Sequence, residues 1–164
     1  SAEIIDIGCG KSFLIDNLIE KKYSKIILLD ISNNEIKEVE ERTNNYKNSG
    51  KFYNLDILDF KPNRSFDLWH DRAVFHFLTK KEEINKYVNI CEENINKEGT
   101  LIIGTFSENG PLKCSGLEIS RYSVKNLQSV LCNSFELVEH LNTDHITPFE
   151  TIQNFNFCKF KKIK

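Results

Sequence analysis

Short apolar runs alternate with helical segments along the first two thirds of the chain. Apolar residues in consecutive or alternating positions predict strands at Glu3–Ile7, Lys25–Leu29, Lys51–Leu55, Ser65–Trp69 and Thr100–Thr105. Apolar residues at helical spacing, helped by caps such as Ser32 with Glu35, predict helices at Lys11–Lys21, from Ser32 to about Asn48, at Lys81–Asn96 and at Ser123–Cys132. Strand–helix alternation of this kind predicts a parallel sheet with helices on both faces.

The end of the chain breaks this alternation. Strands are predicted at Glu136–His140 and Ile152–Phe160, with no helical pattern between them. We therefore expect an antiparallel hairpin at that edge of the sheet, with the final strand inserted antiparallel. The sequence predicts an α/β fold, namely a Rossmann-like doubly wound, mostly parallel sheet with an antiparallel edge hairpin.

Length and composition place limits on the function. A chain of 164 residues is expected to form one domain, residues 1–164. Its formal net charge of −2 argues against nucleic acid as the main partner, and no apolar stretch predicts a membrane span. The five cysteines lack paired spacing, which favours reduced thiols and a cytoplasmic location. The sequence leaves the oligomeric state open.

The stretch "IIDIGCGKSF" holds the first candidate for ligand binding. Gly10-Lys11-Ser12 looks like the end of a phosphate-binding P-loop, but the glycine required five residues earlier is replaced by Ile5. A dinucleotide-binding G-x-G-x-x-G pattern fails at its third glycine, where Phe13 is too large for close helix–strand packing. What remains is a strand, a turn containing Gly8 and Gly10, and a helix, an arrangement that lets a ligand approach the backbone.

Acidic and glycine residues follow successive predicted strands. The stretches "IIDIGCGKSFLIDNLI", "ILLDIS", "NLDILDF" and "FDLWHDRAVFHFL" place such residues at four strand ends. This series resembles the class I methyltransferases that use S-adenosylmethionine, over nearly the whole chain. The fourth stretch, with "CSGLEISRYSVKNL" and "HITPFETIQNFNFCKF", looks like a subgroup of small bacterial enzymes.

The resemblance implies S-adenosyl-L-methionine as the cofactor and a set of residues that would bind it. In the resembling fold the glycine turn approaches the amino-acid end of the cofactor, and Asp30 lies at a distance along the chain suited to accepting both ribose hydroxyls. Asp56 would accept from the adenine amino group, and Asp6 would brace the glycine loop. The full predicted set is Asp6, Gly8, Cys9, Gly10, Asp30, Ile31, Asp56, Ile57 and His70.

The segment that follows Trp69 contains four candidates for catalysis: His70, Asp71, Arg72 and His76. The exit of the fourth strand lies beside the first strand in such a sheet, close to the reacting end of the cofactor. A histidine could act as a base for a protonated nucleophile. Packing histidines and a structural Asp71–Arg72 ion pair are the alternatives that the sequence leaves open.

The sequence also offers candidates for substrate binding and for metal binding. Arg121 and Tyr122 precede a predicted helix and are candidates for lining the acceptor pocket. The spacing of Cys114, Cys158, His140 and His145 matches no compact zinc pattern, so we expect no metal.

The sequence therefore predicts a methyltransferase acting on a small-molecule nucleophile. A protein-lysine acceptor is the nearest alternative, although Asp71-Arg72-Ala73-Val74 departs from the Asp-Lys-Gly-Thr pattern of resembling lysine enzymes. The other alternative is a module of the same fold that binds the cofactor without catalysis. Resembling enzymes carry a helical segment before the first strand that helps to close over the cofactor and the acceptor, and we expect this segment to lie outside the chain. Phe13 disfavours a nicotinamide oxidoreductase.

Overall fold

Seven strands form one sheet in the computed structural model, which describes residues 2–46, 50–147 and 150–164. Their order across the sheet is β3-β2-β1-β4-β5-β9-β8. The strands are β1 (Ile4–Ile7), β2 (Ile26–Asp30), β3 (Lys51–Asn54), β4 (Phe66–Arg72), β5 (Ile95–Phe106), β8 (Phe135–Ile146) and β9 (Ile152–Lys162).

The first five strands run parallel, and the last two run as an antiparallel hairpin. Strand β9 pairs antiparallel with both β5 and β8, so the final strand is inserted between them. Strand β1 pairs with β2 on one side and with β4 on the other, so the order of the strands reverses there. Ligands of open α/β sheets bind at such a reversal, beyond the carboxyl ends of the strands. The predicted fold class is confirmed.

Within the described ranges, four α-helices connect the strands: α1 (Leu14–Glu20), α2 (Asn33–Thr43), α3 (Lys81–Asn94) and α4 (Val124–Leu131). Ser32 Oγ accepts from the Glu35 amide at 3.4 Å, and Ser123 Oγ accepts from the Asn126 amide at 3.1 Å, as expected for N-caps. The predicted end of α2 near Asn48 lies outside the described residues. Two short strands not predicted from the sequence, β6 (Lys113–Cys114) and β7 (Leu117–Glu118), form a separate hairpin.

The sheet packs against hydrophobic clusters on both faces. One cluster joins Ile4 and Leu28 of the sheet to Ile15 of α1 and Val39 of α2. The other is larger and extends from β1 to β9, with members that include Trp69, Tyr87, Leu127 and Phe160. Because β1 and β2 are buried along their whole length, the backbone at their carboxyl ends is held in place.

Several strands extend further than their apolar runs predict. Strand β4 continues to Arg72, three residues beyond Trp69, because the polar side chains of His70 and Asp71 find hydrogen-bond partners within the fold. Strand β8 continues to Ile146 although most of its side chains are exposed. Across the described residues, no helix combines the length and apolar character needed to cross a bilayer.

Candidate active site at the carboxyl ends of the strands

The turn after β1 has the backbone conformation that its glycines predict. Gly8 and Gly10 adopt φ values of +67° and +47°, in the region that favours glycine. A Cβ on Gly8 would overlap Val74 Cγ2 and lie 3.2 Å from the Arg72 carbonyl oxygen. The Gly8 amide donates to the Leu29 carbonyl at 2.8 Å, which ties the turn to β2. The turn therefore needs a glycine for both its conformation and its close packing.

Asp30 at the end of β2 braces the glycine turn. One of its carboxylate oxygens accepts from the Gly10 amide at 2.9 Å, and the other accepts from the Ser32 amide at 2.8 Å. The structure thus gives Asp30, rather than Asp6, the position from which to hold this loop. Each carboxylate oxygen has more than one acceptor site, so Asp30 can also accept from a ligand hydroxyl.

These residues line one cavity of about 660 Å³. It extends over the carboxyl ends of β1 to β4, the place expected for a ligand in this topology. Its volume falls within the range of ligand sites in proteins. The predicted residues that line it are Gly8, Gly10, Asp30, Ile31, Asp56, Ile57 and Arg72.

Asp56 and Ile57 lie at the β3 side of the cavity. Asp56 Oδ1 accepts from the Leu58 amide at 2.8 Å, which fixes the start of a short 3₁₀ turn at Ile57–Asp59. Ile57 is buried and contributes apolar wall. Asp56 therefore has a capping role in the fold and remains a candidate for ligand recognition through its second oxygen.

Glu35 also lines the cavity, although the sequence assigned it to a helix cap. In a complete capping box its side chain would bond the Ser32 amide, but Asp30 already accepts from that amide. The pKa of Glu35 is raised, first by partial burial and then by the neighbouring charge of Asp30. The sequence pattern of a helix start does not show that Asp30, at the end of the preceding strand, takes the Ser32 amide in place of Glu35.

The opposite wall was also missed from the sequence. Ser115, Leu117 and Glu118, on or next to the β6–β7 hairpin, line the cavity. So do Ala73, Val74, Phe77 and Leu78, which follow β4. Phe77 and Leu78 belong to the apolar end of "FDLWHDRAVFHFL", where an apolar residue that lines a cavity has the same sequence pattern as one in the core. Leu117 is 62% exposed, which is unusual for a large apolar side chain and marks the cavity rim.

Asp6, Cys9 and His70 were predicted to bind cofactor but lie outside the cavity lining. Asp6 and His70 are register partners on β1 and β4, and their Oδ1 and Nδ1 atoms lie 2.7 Å apart. Asp6 is thus buried as the partner of His70. Cys9 is buried, and burial raises the pKa of its thiol, which favours the protonated form.

Of the four predicted catalytic residues, Arg72 alone lines the cavity. Asp71 has no exposed surface and accepts from Tyr87 Oη at 2.6 Å and from the amides of Val74 and Phe75. The Asp71–Arg72 ion pair considered from the sequence is therefore replaced by these bonds. Burial raises the pKa of Asp71 to about 6 despite the hydrogen bonds that lower it.

His76 is fully buried beside the ring of Phe106, with ring centroids 4.7 Å apart. Its Nδ1 accepts a long bond of 3.4 Å from the Phe106 amide, while its Nε2 has no hydrogen-bond partner among the described residues. Burial lowers the pKa of His76 to about 4, so the ring is neutral at pH 7. His76 does not line the cavity, although the next two residues, Phe77 and Leu78, do.

Arg121 and Tyr122 do not line the cavity, contrary to the expectation of an acceptor pocket. Arg121 donates to the carbonyl oxygens of Glu108 and Gly110 at 2.6 and 3.1 Å and so fixes the loop after β5. Tyr122 packs against Phe75 with ring centroids 5.2 Å apart. Within the described ranges, no three side chains of metal-ligating type are grouped closely enough to hold a metal ion.

This fold and site define a doubly wound α/β domain with a cofactor-sized cavity at the strand reversal. Residues 1–157 match the family described as "Methyltransferase domain". The chain belongs to this family, which confirms the resemblance inferred from its motifs.

Individual relatives are distant in sequence. The chain is 24% identical over 170 residues to a malonyl-[acyl-carrier protein] O-methyltransferase of Acetivibrio thermocellus, covering 98% of this chain and 56% of the relative. A solved SAM-dependent methyltransferase of Methanosarcina mazei has a TM-score of 0.80 at 16% identity, covering 99% of this chain and 93% of that one. Burkholderia thailandensis 1,6-didemethyltoxoflavin-N1-methyltransferase, solved with its acceptor and S-adenosylhomocysteine, has a TM-score of 0.78 at 15% identity, covering 99% and 72%. At these identities the structures establish the shared fold.

Proposed function

We propose that this domain binds S-adenosylmethionine in the cavity at the Gly8–Gly10 turn and transfers its methyl group to a small-molecule nucleophile. The observation that carries the proposal is the convergence of Gly8, Gly10, Asp30 and Asp56 on one cavity at the strand reversal. Two of the proteins to which the chain is similar act on malonyl-[acyl-carrier protein] and on 1,6-didemethyltoxoflavin. Both are named as methyltransferases, which supports the reaction class.

The residues present fit this cofactor. The left-handed turn exposes backbone where a side chain would block approach, and Asp30 presents acceptor sites for the ribose hydroxyls. Asp56 and the Ile57 amide would recognise adenine, while Leu55 and Leu78 contribute apolar surface. Four acidic residues line the cavity and one basic residue, Arg72, does so as well; the acidic residues are Asp30, Glu35, Asp56 and Glu118. This acidic excess suits a cofactor whose sulfonium and ammonium groups outnumber its single carboxylate.

When bound, the cofactor supplies an electrophilic methyl group on a sulfonium centre. The work left to this chain is to align the nucleophile and to exclude water. Val74 and Phe77 give an apolar wall, while Arg72 and Glu118 are the charged groups available to orient an acceptor. Of the four residues predicted to be catalytic, we propose that Arg72 is the one that contacts the acceptor. His70, Asp71 and His76 do not line the cavity, so we assign no proton transfer to them.

Two experiments test the proposed function. Calorimetric titration with S-adenosylhomocysteine should show saturable binding, whereas NAD should not bind. Transfer of labelled methyl groups from S-adenosylmethionine to fractionated metabolites of the source cell should then label a small molecule. Binding of NAD without S-adenosylhomocysteine would contradict the cofactor. Cofactor binding with label only in protein would favour the protein-lysine alternative, and binding with no transfer would favour a module without catalysis.

A further inference from the structure

A chain of buried polar side chains runs from α3 to the turn after β4. The Trp69 indole N–H donates to Tyr87 Oη at 3.3 Å, and the Tyr87 hydroxyl donates to Asp71 Oδ2 at 2.6 Å. All three side chains have no exposed surface. Buried polar groups cost free energy unless paired, so the pairing of Asp71 with Tyr87 is a requirement of this arrangement.

The other oxygen of Asp71 holds the backbone of the turn. Oδ1 accepts from the amides of Val74 and Phe75 at 3.1 and 3.2 Å. Ala73, between the strand and these amides, has φ of +63°, which is unfavourable for a residue other than glycine. The Ala73 amide donates to the Gly104 carbonyl at 2.8 Å. The surrounding bonds therefore keep the turn in a conformation that it would otherwise leave.

This turn is a wall of the cavity. Ala73 and Val74 line it, and Val74 Cγ2 occupies the space where a side chain on Gly8 would lie. A shift of the Ala73–Val74 backbone would move Val74 against, or away from, the glycine turn. The position of Tyr87 on α3 is thus connected to the cavity through two hydrogen bonds and one packing contact.

We propose that Tyr87 is a positioning residue that, through Asp71, holds the Ala73–Val74 turn against Gly8 and so sets the affinity of the domain for its cofactor. The inference rests on the proposed function, because it takes the cavity to be the cofactor site. Tyr87 itself does not line the cavity.

The direct test compares Tyr87→Phe with Ile90→Val. The first change removes the hydroxyl that donates to Asp71 and keeps the ring. The second trims a buried side chain of the same helix and cluster without touching the hydrogen bonds, so it controls for lost core packing. We expect Tyr87→Phe to raise the dissociation constant for S-adenosylhomocysteine about three- to tenfold, as for the loss of one hydrogen bond, and Ile90→Val to leave it unchanged.

Hydrogen exchange gives a readout that is independent of the ligand. The amides of Val74 and Phe75 should exchange faster in Tyr87→Phe than in Ile90→Val, because the carboxylate that accepts from them has lost its anchor. Equal exchange and equal affinity in the two variants would overturn the inference. Absence of S-adenosylhomocysteine binding by the unaltered chain would instead overturn the proposed function, and the positioning role with it.

A second pair of variants covers the case in which Tyr87→Phe does not fold. Asp71→Asn keeps an oxygen for the amides of Val74 and Phe75, while Asp71→Leu removes it at similar side-chain size. The positioning role predicts weaker cofactor binding for Asp71→Leu than for Asp71→Asn. Equal affinities would contradict it.

Discussion

Val74 Cγ2 fills the space beside Gly8 in which a Cβ atom would otherwise lie. This contact joins the turn after β1 to the turn after β4, at the point where the order of the strands reverses. Two loops that are distant in sequence thereby form one wall of the cavity. Position 8 therefore requires glycine for two reasons, the contact with Val74 and its own backbone conformation.

A double-variant cycle tests this contact. Gly8→Ala should lower the free energy of unfolding by about 2 kcal/mol or more, because it adds a side chain at positive φ and a clash with Val74. In a Val74→Ala background, Gly8→Ala should lower the free energy of unfolding by about 1 kcal/mol less than it does in the unaltered chain, as measured by urea unfolding.

Gly116→Ala serves as the control for strain. Gly116 has φ of +80° and nothing within 4 Å of an added Cβ, so its substitution reports the conformational cost alone. Equal costs for Gly8→Ala in both backgrounds would show that Val74 does not determine the packing of the turn.

The pH dependence of stability should reveal His76. Its pKa is lowered to about 4 by burial, below the ordinary value near 6.5, so the unfolded chain binds a proton that the folded chain excludes as pH falls below 6.5. Stability is therefore lost as pH falls from 6.5 towards 4. His76→Asn, which keeps an acceptor near the Phe106 amide, should gain about 2 kcal/mol relative to the unaltered chain between pH 7 and pH 5.

Asp71 acts in the opposite direction over part of this range. Its pKa is raised to about 6 from 3.8, so the folded chain takes up a proton first and stability rises as pH falls from 6 towards 4. The two groups partly cancel in the unaltered chain, which is why the comparison with His76→Asn is needed. Parallel pH profiles of the two proteins, measured by urea unfolding, would contradict a buried neutral His76.

Arg121 is expected to contribute to stability rather than to ligand binding. Arg121→Ala removes both hydrogen bonds to the loop carbonyls of Glu108 and Gly110, and should lower the free energy of unfolding by about 1–2 kcal/mol. The dissociation constant for S-adenosylhomocysteine should stay within twofold of the unaltered chain. A large loss of affinity with unchanged stability would show instead that Arg121 acts on ligand binding.

The sequence was sufficient for the fold and for the part of the cavity built by the first three strands. Apolar runs and cap residues predicted the fold class. Gly8 and Gly10 follow β1 and Asp30 ends β2, so local pattern and topology together located them. The strand that precedes each of these residues determines its position, so the position can be predicted from the sequence.

The region after β4 could not be predicted in the same way. His70, Asp71 and His76 look alike as polar residues in an apolar stretch, but their partners are Asp6, Tyr87 and Phe106, which lie far away in sequence. Asp71 and His76 are buried in the core, and His70 pairs with the buried Asp6. The β6–β7 hairpin was missed because two-residue strands leave no periodic pattern.

We propose the cavity beside Asp30 as the S-adenosylmethionine site. The most direct test is calorimetric titration of S-adenosylhomocysteine into the unaltered chain, Asp30→Ala and Asp59→Ala. Asp59 is an exposed acid outside the cavity lining and serves as the matched control. Binding should weaken by about 1.5–3 kcal/mol in Asp30→Ala, as for lost hydrogen bonds to a charged group, and stay unchanged in Asp59→Ala. Equal affinity of Asp30→Ala and the unaltered chain, or no binding by the unaltered chain, would contradict the account.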